Sequence, residues 1–178
     1  MQNVGVNLLR PLCLEDMEQI REWRNEVLET LRTPIALTKE QQEDWYRREI
    51  CDSNSRSRFF GITYKSTNLS GDYWDELIGY GGIENIQWEN RIGEISLLIA
   101  PDHRKAGTGF NSAIEILNYA VDNLNLHTVY AECYCNNSAV NFWHKVFAQF
   151  PNYTEVVLPN RKYWGGMYVS SMYFSVSR

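Results

Sequence analysis

The sequence predicts a mixed α/β fold, on three observations. Stretches with strand-like alternation interleave with stretches of helical periodicity. One glycine-rich loop stands directly between an apolar strand and a helix. Neither a repeat, nor a Pro-rich linker, nor a shift in composition divides the 178 residues. With 44% hydrophobic residues, six Trp and eleven Tyr, the chain can fill one ordinary core rather than two small ones, so a single domain over residues 1–178 is expected.

Each element has its own signal. A short apolar run ends near Arg10, and Leu14, Met17, Ile20, Trp23, Val27, Leu28 and Leu31 then recur at helical spacing, with Glu15 and Asp16 in the first turn. Thr38 followed by Gln41 has the form of a capping box, and the stretch after it continues without a breaker, which predicts a second helix to about Ile50. RFFGITYK, LIGYGGIENIQW and RIGEISLLIA read as an antiparallel meander, with the turn-rich stretch 66–76 as a hairpin insertion. Pro101 stops the third of these strands. HRKAGTG is a loop, and Phe110, Ala113, Ile114, Leu117, Val121 and Leu124 mark a helix. HTVYAECYC is a further strand, NNSAVNFWHKVF a short helix, and the tail alternates as two last strands.

Composition excludes several classes. The formal charge is −5 with no Lys/Arg block, so nucleic acid and anionic membrane are not expected partners. No apolar run reaches membrane-spanning length, and MQNVGVNLLRPL lacks a basic segment followed by a long apolar one, which predicts a cytoplasmic chain. Cys13, Cys51, Cys133 and Cys135 form no CxxC pair, so no metal is expected. Cys133 and Cys135 alternate as two reduced core residues on one strand face would.

The loop Arg104-Lys105-Ala106-Gly107-Thr108-Gly109 carries the first functional signal. A helix start offers unpaired N–H groups and a positive dipole end, and glycine lets that backbone close on a phosphate group. The loop lacks the Gly-Lys-Ser/Thr of a P-loop, and Ser112 stands where a dinucleotide fingerprint needs its third glycine. What remains, R-x-x-G-x-G between an apolar strand and a helix, resembles the pyrophosphate-binding signature of the GNAT N-acetyltransferases. EISLLIAPDHRKAGTG is similar to that family's fourth strand and loop. NNSAVNFWHK is similar to its N-x-x-A-x-x-F-Y-x-K segment, through Asn136, Ala139, Val140, Phe142 and Lys145. LLRPLCLEDMEQIREWRNE resembles the opening of many members.

The resemblance implies a GNAT fold: a mixed, mostly antiparallel sheet of six to seven strands, flanked by about four helices, with a V-shaped splay between the fourth and fifth strands. It implies acetyl-CoA as cosubstrate and direct attack of an amine on the thioester. The backbone of Leu98, Ile99 and Ala100 would pair with the pantetheine arm, and an N–H near Leu98 or Ile99 would polarise the thioester oxygen. Residues Arg104, Lys105, Ala106, Gly107, Thr108 and Gly109 would cradle the pyrophosphate. Asn136 would bind the cofactor, and Trp143 would line it where many relatives have an acidic tyrosine.

A general base must lie within reach of the amine. Glu94 matches a carboxylate many relatives use. Glu132 matches one used by the ribosomal-protein acetyltransferases if Asn137 rather than Asn136 is the aligned asparagine. A one-residue slip reverses a strand face, so both stay open. His144 is a candidate acid in the Asn137 register. Trp23-Arg24-Asn25 resembles an acceptor segment of acetyltransferases that act on nucleotide-linked amino sugars. The ribosomal-protein branch, whose acceptor is a peptide N-terminus, has similar opening segments. The expected partner is thus a small-molecule amine or a peptide N-terminus, with a homodimer as an open assembly. A CoA-binding or protein-interaction module without catalysis is the rival class.

Overall fold

The computed structural model describes residues 7–67, 73–104 and 107–178. Its strands are β1 (Asn7–Pro11), β2 (Arg58–Thr67), β3 (Tyr73–Gln87), β4 (Ile92–Ile99), β5 (Thr128–Tyr134), β6 (Tyr153–Trp164) and β7 (Met167–Ser177). Its helices are α1 (Met17–Glu26), α2 (Lys39–Tyr46), α3 (Thr108–Asp122) and α4 (Val140–Phe147). The seven strands form one sheet in the order β1-β2-β3-β4-β5-β7-β6. Every neighbouring pair is antiparallel except β4 with β5.

That exception shapes the site. β4 and β5 pair only from Ile92 to Glu94 against Thr128 to Tyr130, whereas β4 runs on to Ile99 and β5 to Tyr134. The two strands therefore separate beyond Glu94 and leave facing backbone unjoined, which is the expected V-shaped splay. The mixed sheet with four α-helices among the described residues matches the predicted architecture.

Strand alternation sorts the side chains onto two faces. On one, Ile83, Ile95, Val129, Ala131, Cys133, Phe174 and Val176 pack against Ala113, Ile116, Leu117 and Ala120 of α3 and Trp143, Val146 and Phe147 of α4. On the other, Tyr80, Leu98 and Phe59 pack against Met17, Ile20 and Trp23 of α1 and Trp45 of α2. The helical stripe read from the sequence thus supplies both layers.

Boundaries differ from the sequence reading where tertiary contacts intervene. The helix expected from Leu14 to Leu31 opens with a 3-10 turn at Leu14–Asp16, and α1 ends at Glu26. Val27 leaves the helical region at φ −118°, and a second 3-10 turn follows at Leu28–Thr30. Lys162 of β6 donates to the carbonyls of Glu29 at 2.6 Å and Leu31 at 2.9 Å, so oxygens that a continuing helix would use are taken by another element. The capping box at α2 forms as read, with Gln41 N donating to Thr38 Oγ1 and Thr38 N to Gln41 Oε1. A π-helical turn then carries the chain from Arg47 to Cys51. The 66–76 hairpin is longer in strand than expected, since Thr67 pairs with Tyr73, and its tip at 68–72 lies outside the described residues. Cys135 corrects another expectation: β5 ends at Tyr134, so Cys133 is buried while Cys135 sits exposed in the turn.

Candidate active site

β4 and α3 form one wall of the splay. The Ala100 amide donates to the Ile78 carbonyl at 2.9 Å, and antiparallel bonding alternates along β4, so Leu98 and Ser96 also bond to β3. The backbone groups of Ile95, Leu97 and Ile99 point the other way, into the gap. Of the residues expected to pair with the pantetheine arm, Leu98 and Ala100 have their backbone groups turned to β3 and Ile99 faces the gap, as does Leu97.

The loop after β4 leads into the start of α3, with a glycine at the turn. Gly107 is the N-cap of α3 with φ +77°, a left-handed conformation that glycine adopts without steric cost, and a Cβ there would meet nothing within 4 Å. Gly109 lies in the first turn, where an added Cβ would make only ordinary contacts of 3.4 Å to Ile99 and 3.5 Å to Phe142. The protein's own packing thus does not require a bare backbone at 109. Asn111 N returns to the Gly107 carbonyl at 3.1 Å, which starts the helical ladder of α3. Arg104 turns back instead, its Nε donating to the Ile99 carbonyl at 3.0 Å, so it ties the loop to the strand end. Lys105 and Ala106 lie outside the described residues. The open backbone on β4 and the anion-receptive turn fit the two halves of a pantetheine diphosphate.

At the apex of the splay, on the α1/α2 face, the structure brings Glu94 and Glu132 together and so resolves which way Glu132 points. Glu94 is 4% exposed. Arg32 donates to both its oxygens and Asn85 Nδ2 donates at 3.1 Å, while Tyr130, its register partner on β5, lies close enough to feel its charge. Burial, then the Glu94 charge, pushes the Tyr130 hydroxyl up to about 12. Glu132 accepts from Arg161 Nε at 2.8 Å and from Ser171 Oγ, and Arg32 Nη2 lies 3.8 Å away. The Arg161 hydrogen bond is the main cause that lowers the Glu132 carboxyl below its usual range.

Sequence reasoning missed Glu84 and Arg32. Glu84 lies directly across from Glu94 in the β3–β4 register. Its carboxyl is raised, first by burial and then by the Glu94 charge, against weaker opposing pull from Arg32 and Arg24. A break in register after Glu84, with Asn85 at φ +54°, aims Asn85 at Glu94. Arg32 comes from the connection between α1 and α2, which carries no periodic signal. Burial works against its charge, but Glu94, Glu132 and Glu84 outweigh that, and its pKa is raised.

Several expected site residues lie elsewhere. Trp23 is part of the α1/α2 core. Asn25 clamps the Leu37 backbone, donating to its carbonyl at 3.1 Å and accepting from its amide at 2.9 Å. Arg24 does face the site side, where its charge acts on Tyr80 and Glu84 and its buried Nε has no hydrogen-bond partner among the described residues. His144 pairs with Glu155 of the edge strand β6 at 2.8 Å. Glu155 is the register partner of Phe174, which packs on α4, so His144 belongs to the opposite face from Glu94 and Glu132. Trp143 is buried in the α3/α4 core against Phe142 and Phe147. Asn136 is exposed, and it is Asn137 whose side chain accepts from Ala139 N at 2.9 Å before α4.

A splay with unjoined backbone on one wall, an anion-receptive helix start beneath it and carboxylates at its apex define an acyl-transfer site for a coenzyme A thioester. The family comparison agrees. The profile of the acetyltransferase (GNAT) domain matches residues 8–141, and the chain belongs to that family, whose cosubstrate is acetyl-CoA. A search of curated proteins finds no match. Among solved structures, the chain is similar to spermidine N-acetyltransferase from Vibrio cholerae in complex with CoA and spermine, at 21% identity and TM-score 0.76, over 96% of this chain and 95% of that one. A chimera of that enzyme with hSSAT gives 21%, 0.76, 96% and 95%. Mutant forms of the same spermidine/spermine N-acetyltransferase give 21%, 0.72, 97% and 95%. At this identity the likeness bears on the fold. Among the described residues no group of three or more His, Cys, Asp or Glu is placed to hold a metal, and no helix is long and apolar enough to cross a membrane.

Proposed function

We propose that the chain transfers the acetyl group of acetyl-CoA to a small primary amine that arrives as a cation, with a polyamine-like diamine as the best-fitting class. The observation that carries this is the convergence of Glu94 and Glu132, from the two strands that diverge at the splay, with Glu84 across the ladder. Glu94 and Glu132 are held by the guanidiniums of Arg32 and Arg161, and an incoming ammonium group can replace a guanidinium against a carboxylate where a phosphate cannot. A nucleotide-linked amino sugar would bring phosphates to this face, so that acceptor is not carried forward. The solved relatives named for spermidine point the same way.

Acetyl-CoA supplies an activated acetyl thioester when bound. The amides of Leu97 and Ile99 hold the arm that carries it, and one of them is placed to donate to the carbonyl oxygen as charge builds there. Gly107, Thr108 and Gly109 present the α3 amides to the diphosphate. Glu94 accepts the proton of the acceptor's ammonium, directly or through one water, with Glu84 beside it as a second acceptor. Glu132 holds the ammonium in line. The leaving thiolate takes its proton from solvent, because Trp143 is core and His144 faces away. The four free cysteines accord with a cytoplasmic setting.

The test is a thiol-release assay with acetyl-CoA and a panel of 1,4-diaminobutane, spermidine, an amino sugar and a short peptide, with products read by mass. Acetylated diamine or polyamine is expected. Acetylation of the peptide alone would replace the acceptor class, and binding of acetyl-CoA with no product from any amine would replace the enzyme reading by that of a CoA-binding module.

A further inference from the structure

Among the described residues, Arg32 is the side chain that reaches both Glu94 and Glu132. It does so from an irregular connection, with 47% of its side chain exposed, while the Glu94 side chain is 5% exposed. We infer that the position its guanidinium takes between the two carboxylates is the seat of the acceptor's ammonium group, and that Arg32 sets acceptor specificity by filling that seat until another cation displaces it. This rests on the reading of the chain as an amine acetyltransferase.

The anchoring of the Arg32 segment supports such an exchange. Lys162, packed between the rings of Tyr134 and Trp164 at 4.7 Å each, holds the carbonyls of Glu29 and Leu31. Asn25 holds Leu37 at the far side. The backbone is thus pinned on both sides of Arg32, and the long side chain can swing out into solvent without moving it.

Charge decides what can take its place. Withdrawal of the guanidinium leaves Asn85 Nδ2 donating to the Glu94 carboxylate at 3.1 Å and removes the positive charge that faces it. A neutral or anionic ligand does not replace that charge; a cation does. The exchange also differs chemically from the resting pair. A guanidinium keeps its proton throughout the accessible pH range, so the resting pair is inert. A primary ammonium in the same seat can pass one N–H proton to the Glu94 carboxylate, giving a carboxylic acid and a neutral amine whose lone pair is then free. Arg32 therefore both admits cations selectively and keeps the base covered in their absence.

Arg32→Ala and Arg32→Lys test this, after thermal melts establish that each folds. With 1,4-diaminobutane as acceptor, Arg32→Ala should lower KM about fivefold or more, since the self-occupied fraction no longer competes, with a smaller change in kcat. Arg32→Lys, which keeps the charge but not the fork, should fall between. A raised KM in Arg32→Ala would overturn the inference, because Arg32 would then be holding the acceptor itself. A second arm needs no turnover: methylguanidinium, followed by calorimetry, should bind Arg32→Ala and not the wild type or the double variant Arg32→Ala/Glu94→Gln. Absence of binding to Arg32→Ala, or equal binding to all three, refutes the seat. If neither protein acetylates any amine, the acetyltransferase reading fails, and the methylguanidinium arm still decides this one.

Discussion

Gly109→Ala separates what the fold needs from what the ligand needs. The new methyl group would rest at 3.4 Å from Ile99 and 3.5 Å from Phe142, ordinary van der Waals distances, so no neighbour must move. Position 109 lies inside α3, where Ala is favoured over Gly by roughly 0.5–1 kcal/mol. The folded protein should therefore keep or gain stability, up to about 1 kcal/mol, which for a chain of this size is ~2–4 °C in Tm. Acetyl-CoA should respond in the opposite direction, because the methyl group enters the space where the diphosphate meets the helix start. Loss of one well-placed charge-assisted contact, ~1.5–3 kcal/mol, corresponds to a roughly 10- to 100-fold weaker Kd. Thermal melts and calorimetry on the same preparation measure both. An unchanged Kd, at unchanged or higher Tm, would refute the assignment of this turn to the diphosphate.

The other predictions concern charge and caps. Asp16→Asn should destabilise by about 1–3 kcal/mol in urea titration at neutral pH, because Asp16 is bonded to Arg10 at 2.7 and 2.8 Å and to Cys13 N at 2.9 Å. Burial opposes the Asp16 charge, but these partners outweigh it and lower its pKa, so its contribution is present above roughly pH 4 and is lost as pH falls through the depressed value. Glu84 has the opposite sign: a raised carboxyl binds more protons folded than unfolded, so stability falls as pH rises above roughly 4.3. The stability of Glu84→Gln relative to wild type should therefore improve between pH 4 and pH 8, and a flat difference would contradict the burial argument. Glu94→Gln should depress turnover at least about 100-fold while leaving the acetyl-CoA Kd within about twofold, as expected of a proton acceptor remote from the diphosphate. Equal losses in both would make Glu94 structural.

The legible part of the protein is the part whose physics is local. The helix start after the glycine loop could be read because Gly107 and Gly109 lie within one turn of each other, and the capping box at Thr38 and Gln41 because both partners do too. Glu94 could be placed on its strand by alternation. Its partner could not: Arg32 is sixty-two residues away in a connection without period, and the two meet only because Lys162 and Asn25 pin that connection over the sheet. Glu84 was hidden by the irregularity that follows it, since alternation fails where Asn85 turns left-handed. The choice between Leu97 and Leu98 depends on which β4 amides β3 already uses, a property of the pair of strands rather than of either sequence. His144 and Trp143 show the same limit, since the helical pattern gave their helix but not which sheet face it covers.

The central claim, that the gap between β4 and β5 receives the donor through β4's free backbone and the α3 start, is tested most directly by amide chemical shifts and hydrogen exchange during titration with acetyl-CoA. Leu97, Ile99 and residues 107–110 should shift and slow in exchange, while Leu98 and Ala100, already bonded to β3, should not slow. Protection confined to the α1–α2 connection or the β6–β7 hairpin, with β4 and the start of α3 unchanged, would contradict it.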